Sequence, residues 1–365
     1  MPVTSAASLA LAARLRDLDD DLVARVIRER AIAPSSLRDV FDLAEALLDP
    51  AAIGLALSAL TRTTLTALMT AAQLDDGATL AELGRRLDRT PEQVALDLAP
   101  ATDALLADLA TDQLTVWPAV RAELEAWPAR GLASVDELRG QPALPVPAEL
   151  DAAARTALDR TAAESAFTTT MAVTEVVVAL GETPGRLLAR GGLALPDAKR
   201  LAAAAGCAPA EVGALVDLAI LAHLLDEADA TCTATEAGEA WRRLSPTVRW
   251  SRLATAWRDA LPHELVTLLV DQVDAEWGAT MSGATTWLFP AGSDALHEKL
   301  RRRGVQAEKL GVVVGGRASS IGRSMITDSG ERAAEVLAPL VPPEVHNVYL
   351  QHDLTIVSPG PLAGE

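Results

Sequence analysis

Apolar residues along this chain recur mostly at spacings of three and four, the period of a helix with one buried face. Near the N-terminus the pattern predicts helices over 6–16, 20–30 and 36–48, with Asp49-Pro50 as a stop. A longer amphipathic helix is expected next, with Leu57, Leu60, Leu65 and Leu68 on one face.

Cap chemistry sharpens the reading beyond that point. Thr79-Leu80-Ala81-Glu82 has the form of a capping box, opening a short helix that carries Leu83 and Leu87. Thr90-Pro91-Glu92-Gln93 starts another helix, with threonine as N-cap and proline in the first turn. Residues 112–117 read as a short β segment before a helix over 118–127. The order then recurs. Leu195-Pro196-Asp197 opens a short helix ending at Gly206, Pro209 starts one expected to reach Leu225, residues 226–233 form a wing, and Thr235 caps 236–244. Pro91 and Pro209 stand 118 positions apart, as do Val94 and Val212, and Leu83 and Leu201. One offset shared by caps and core positions predicts a duplicated module, with Pro100 expected to kink the first copy. After Trp257 a third unit is expected: a helix over 294–303, a strand over 310–314, a Gly315-Gly316 turn and a Ser320-capped helix through Ile326. Residues 348–357 read as a strand entering a further domain.

Helix, short helix, turn, helix and strand pair is the order of a winged helix. The expected class is therefore mainly α, with tandem winged-helix-like modules carrying short β wings. The expected domains are an N-terminal helical region with the first module (1–127), a Pro-rich linker (128–148) around Pro142, Pro145 and Pro147, a second module (149–256), a third with a basic wing (257–342), and the start of an incomplete domain (343–365).

Composition narrows the function classes. Half the residues are hydrophobic, mainly Ala, Leu and Val, with only one Tyr, three Phe and seven Trp. No uninterrupted apolar run reaches the roughly 18 residues of a membrane span, and no basic leader precedes the acidic Asp19-Asp20-Asp21, so a cytoplasmic protein is expected. Cys207 and Cys232 are too few for a disulfide scaffold or a zinc site. The net charge of −18 makes the surface as a whole repel nucleic acid, so any DNA contact must be local.

One segment breaks that trend. Lys299, Arg301, Arg302, Arg303, Lys309, Arg317 and Arg323 face Glu308 alone within 299–323, at the helix end and wing where a winged helix meets phosphates. The alternative is a set of arginines that favour a helix C-terminus and pair with acidic neighbours. Gly311 to Gly316 has the glycine spacing of a phosphate loop, but Arg317-Ala318 replaces the lysine and the hydroxyl residue, so a β-turn is expected. The histidines do not converge: His263-Glu264 lacks a second histidine, His223 is expected in a helix core, and His352-Asp353 has no nucleophile nearby. No catalytic residue, metal, cofactor or small-molecule substrate is expected.

Residues 348–362, VYLQHDLTIVSPGPL, resemble the motif that opens the helicase-associated domain at the N-terminus of XPB-type helicases. Upstream, LTVWPAVRAEL, RLLARGGLALPDAKRLA, and LRRRGV followed by SSIGRSMI resemble actinobacterial helicase-associated proteins with XPB-like N-terminal domains. The layout is similar to that of the TFIIH subunit that clamps XPB. The resemblance implies a non-catalytic adaptor or regulator of an XPB-type DNA helicase in repair or transcription, with Tyr349, Leu350, Asp353, Leu354 and Ile356 at the partner surface. Members of that family continue past the PGPL motif, so the partner surface is expected to be incomplete in a chain ending at Glu365. The alternative function is a DNA-binding regulator using 299–323.

Overall fold

Ala and Leu favour helix, and aromatic strand formers are few, which leaves the β-branched Val and Thr as the main residues for strands. The computed structural model, which describes residues 2–74, 77–140, 144–345, 347–353, 355–358 and 360, is accordingly 64% helix and 9% strand, the strands being short hairpins between helices. The chain forms two units, one of Met1–Ala143 with Thr286–His297, the other of Leu144–Thr285 with Glu298–Glu365.

In the first unit, helices Pro2–Arg16, Asp20–Glu29, Val40–Leu47, Pro50–Ser58 and Arg62–Ala72 enclose Leu11, Leu47, Ile53, Leu57, Leu65 and Leu68. The amphipathic stretch expected as one helix is two, because Thr61 turns the chain and its hydroxyl accepts from the Thr64 N–H. All four predicted leucines are nevertheless buried. Arg30 is the centre of this unit. Its guanidinium is 3% exposed and donates to the carbonyls of Leu47 (2.7 Å), Ala52 (3.1 Å) and Ala104 (2.7 Å), two of them at helix C-termini. Burial lowers its pKa to about 10, so the charge that holds these carbonyls persists at neutral pH. The stretch expected as a linker begins by folding onto this unit: helix Val135–Gly140 buries Val135 and Leu138, while among the described residues 131–134 and 144–151 run without helix or strand.

The second unit is built on helix Ala152–Glu182, which buries Ala162, Ala166, Thr170, Val173, Val177 and Leu180 along one stripe. The sequence reading missed this helix, whose alanine and threonine face blurs the apolar period. Among the described residues it is the one unbroken helix long and apolar enough to cross a membrane, and 56% of its apolar window is buried within the fold. Four fully buried tryptophans complete the core, each indole N–H satisfied: Trp241 by Thr174 Oγ1, Trp250 by the Leu310 carbonyl, Trp257 by that of Arg303 and Trp277 by that of Gln272.

One local design is built three times. Helices Leu80–Leu87 and Pro91–Asp103, strands Ala107–Ala110 and Gln113–Val116, and helix Pro118–Glu125 make the first copy. The second has helix Leu195–Ala205, the turn Pro209–Glu211 leading into helix Val212–Leu221, strands Leu225–Ala228 and Thr231–Ala234, and helix Glu236–Ala240. Both strands recur 118 positions on with the same pairing, Ala107 opposite Val116 and Leu225 opposite Ala234. Pro91 and Pro209 open equivalent turns. The third copy has helix Asp294–Lys309, a hairpin shortened to Val313–Val314 and Arg317–Ala318, and helix Ser320–Thr327.

The same backbone device joins helix to hairpin in each copy. Leu105, His223 and Gly311 take left-handed φ of 56°, 56° and 69°. The following N–H then reaches back five residues, from Leu106 to Ala101 (2.9 Å), Leu224 to Ala219 (2.8 Å) and Val312 to Ala307 (2.9 Å). The hairpin turn is also held alike, its carbonyl at Asp112, Ala230 or Gly316 accepting from Leu80, Leu187 or Trp277. His223 is thus an exposed turn residue, not the core histidine expected. Pro100 does not split its helix, which continues to Asp103. The carbonyl it leaves without a partner belongs to exposed Leu96, where water can replace the lost bond. The copies differ upstream: Ala78–Thr79 runs directly into its helix, whereas residues 187–194 separate Gly185–Arg186 from the next.

In the second and third copies a glycine lets the last helix close on the hairpin. A Cβ at Gly238 would lie 2.3 Å from the Leu224 carbonyl oxygen, and one at Gly322 would lie 1.9 Å from that of Val312. Gly322→Ala is expected to destabilise the fold by about 3 kcal/mol through overpacking against backbone. Gly54→Ala, in a helix with open space at the added methyl, is expected to stabilise by about 1 kcal/mol. Urea denaturation of both variants checks this pair of opposite signs.

Candidate interaction surfaces

The seven cations of 299–323 do not form one free stripe. Arg301 donates to Glu298 at 2.7 and 2.8 Å. Arg303 is half-buried, donates to Gln306 Oε1 at 2.8 Å, and with Arg302 lies in the field of Asp217. Burial raises the pKa of Asp217, and those two guanidinium groups oppose the rise. Lys309 bonds Glu211 at 2.7 Å, and that pairing lowers the glutamate's pKa. Arg317 donates to the Ala148 carbonyl at 3.1 Å, and Arg323 is bonded to Asp274. Lys299 and Arg302 have no hydrogen-bond or ion-pair partner among the described residues, Arg302 meeting the field of Asp217 without a bond to it. The acids come from 211, 217, 274 and 298, all outside the window counted along the sequence, which is why the local excess of charge overstated the basic surface.

The helices that precede the hairpins differ sharply in charge between copies. Pro91–Asp103 carries Glu92, Asp97 and Asp103 and no Lys or Arg, and residues 209–221 carry Glu211 and Asp217 and no Lys or Arg. The first two hairpins add Asp108 and Asp112, then Asp226, Glu227 and Asp229. Arg14 partly offsets the first set by donating to Asp108 at 3.0 Å. The Asp226–Ala230 tip is exposed throughout.

The expected C-terminal strand is a hairpin. Tyr349–Leu350 pairs with Ile356–Val357, Leu350 opposite Ile356 and Tyr349 opposite Val357. Tyr349, Leu350 and Ile356 are each more than 60% exposed, on a two-stranded ladder that lacks a third strand among the described residues. Asp353 belongs to the turn: its carboxylate accepts from the Thr355 N–H (3.0 Å) and from the Thr355 hydroxyl, bonds that lower its pKa. Its role is thereby local, and it has no link to His352 of the kind a proton relay needs. Leu354 lies outside the described residues, as do Pro359 and residues 361–365.

The other candidates resolve into backbone roles. Gly311 closes a helix, and Gly315 and Gly316, with φ of 56° and 82°, turn the hairpin, so the glycine spacing serves two turns rather than a phosphate loop. Ser319 caps the next helix by accepting from the Gly322 N–H at 2.9 Å, while Ser320 bonds Asp159. His297 Nε2 lies 3.2 Å from the Phe289 carbonyl oxygen. No group of three or more His, Cys, Asp or Glu is placed to hold a metal ion among the described residues.

Comparison with protein families, with curated proteins and with solved structures finds no match to this chain.

Cys232 is fully buried, and burial first, then the charges of Glu227 and Asp226, push its thiol up to about 11. Cys207 is partly accessible. A thiol-disulfide dye at about pH 8 is therefore expected to titrate Cys207 and spare Cys232 until denaturant is added. Rapid reaction of both thiols in the native protein would contradict this burial.

Proposed function

We propose that the chain is a non-catalytic, multi-module interaction scaffold, its three helix–hairpin units being winged-helix-like modules adapted to protein partners. The charge of the helices that precede the hairpins carries this reading. A winged helix reads DNA by placing that helix in the major groove, and in two of three copies it holds only acidic charges, beside acidic hairpins. In the third copy the cations are largely engaged by Glu298, Asp217, Glu211 and Asp274. Such surfaces favour protein partners over phosphate.

The resemblance at 348–362 supports an XPB-type DNA helicase as the partner, met through the exposed apolar hairpin. A two-stranded ladder with apolar residues on both faces is marginal alone in water and gains most by joining a larger sheet. Repair or transcription is the setting this implies. Replacing Tyr349, Leu350 and Ile356 together with Ser is expected to weaken binding to a purified XPB-type helicase by roughly a hundredfold, leaving the melting temperature unchanged. In mobility-shift titrations at near-physiological salt, duplex DNA alone is expected to bind no tighter than about micromolar. Nanomolar binding lost in Arg301→Ala and Arg302→Ala variants would instead make the protein a DNA-binding regulator.

A further inference from the structure

The second unit contains a cleft that the scaffold reading does not use. It has a volume of about 410 Å³, within the size range of small-ligand sites, and is bounded by residues 146–150, 273–275, 317 and 318, with Arg155 and Arg323. Three arginines line it from three elements: Arg155 from the first turn of the long helix, Arg317 from the third hairpin and Arg323 from the helix after it. Against them stand two carboxylates, Glu149 and Asp274. The lining is thus net cationic by one charge, in a protein whose net charge is −18.

Hydrogen bonding leaves this cation set under-used. Asp274 accepts from Arg323, and its pKa is lowered first by that bond, then by the field of Arg323 and last by that of Arg155. Arg317 spends one donor on the Ala148 carbonyl at 3.1 Å, which fixes its direction without cancelling its charge. The Arg155 side chain has no hydrogen-bond acceptor among the described residues, although it lines the cleft. Each guanidinium carries five N–H donors in a planar fork that matches the oxygens of a phosphoryl group. Val146, Leu150 and Val273 supply an apolar wall beside it.

We propose that this cleft is an oxyanion site that takes a phosphoryl group, with Arg155 and Arg317 as its principal ligands and Arg323 held in place by Asp274. The cleft is larger than a bare phosphate, so the wall of Val146, Leu150 and Val273 fits the organic body of a phosphate ester. The same chemistry has a second source, a phosphate of a nucleic-acid backbone. The site does not depend on the scaffold reading, because none of its residues belongs to the C-terminal hairpin or to the acidic copies.

Calorimetry of the full chain with pyrophosphate tests the site, since the probe carries the proposed chemistry and nothing else. Binding is expected in the micromolar to millimolar range, weakened roughly ten- to a hundredfold by Arg155→Gln and by Arg317→Gln. Arg317 also anchors Ala148, so Arg155→Gln, which breaks no side-chain hydrogen bond among the described residues, is the decisive variant. An unchanged melting temperature is expected for it. A short duplex added in competition separates the sources: displacement of pyrophosphate that weakens steeply with salt assigns the site to nucleic-acid backbone, and no displacement assigns it to a small phosphate ester. No heat of binding at millimolar pyrophosphate, or binding that Arg155→Gln leaves unchanged, would overturn the proposal.

Discussion

Arginine side chains donating to carbonyl groups at or beside helix C-termini are the interaction on which this fold depends. The last carbonyls of a helix have no partner within it and carry the negative end of the helix dipole, so a guanidinium placed there satisfies a hydrogen-bonding need and an electrostatic one together. Arg30 does this for three carbonyls at once. Arg62 donates to Leu138 and to Trp287, over whose ring it also lies. Arg121 takes Ala72 and Leu74, Arg200 takes Ala179 and Thr183, and Arg258 takes Ile326 and Asp328. A chain rich in short helices has many such ends to satisfy. Arginine's planar fork suits it to the task better than lysine's single ammonium.

This use of arginine links the fold to the electrostatics of the surface. Guanidinium groups committed to backbone carbonyls are turned toward the protein, while acids at helix starts such as Asp20, Asp21 and Glu92, and those of the Asp226–Ala230 tip, face water. The outside is therefore more acidic than a uniform spread of the same residues would make it. The arginine cleft stands out against that background because Arg155, Arg317 and Arg323 line one cavity.

The caps, the prolines and the 118-residue offset were legible in the sequence because they act within a few residues of themselves. Thr79, Thr90, Thr235 and Ser319 all accept from the N–H three positions on. The third copy was harder to align, since its hairpin is shorter and its equivalence to the others rests on the φ of Gly311 and the reach of the Val312 N–H. The long helix was missed because its buried face is largely alanine and threonine. Pairing across the chain was invisible: nothing near Lys309 or Arg323 announces Glu211 or Asp274. For the same reason no sequence window contains Arg155 together with Arg317, which the fold brings to one cleft from 162 positions apart.

The segment 187–194, present in the second copy and missing from the first, bears on how the unit tolerates added length. It sits between a two-residue strand and a helix, and the hairpin downstream keeps its pairing whether or not the segment is there. Leu188, Arg190, Gly191 and Gly192 at its tip are exposed, and the segment closes on itself through Leu187 and Leu193. The matching junction in the first copy can thus take a foreign loop, an epitope or a fluorescent label on that precedent, provided the insert ends in a residue that replaces Thr79 as the N-cap of the helix.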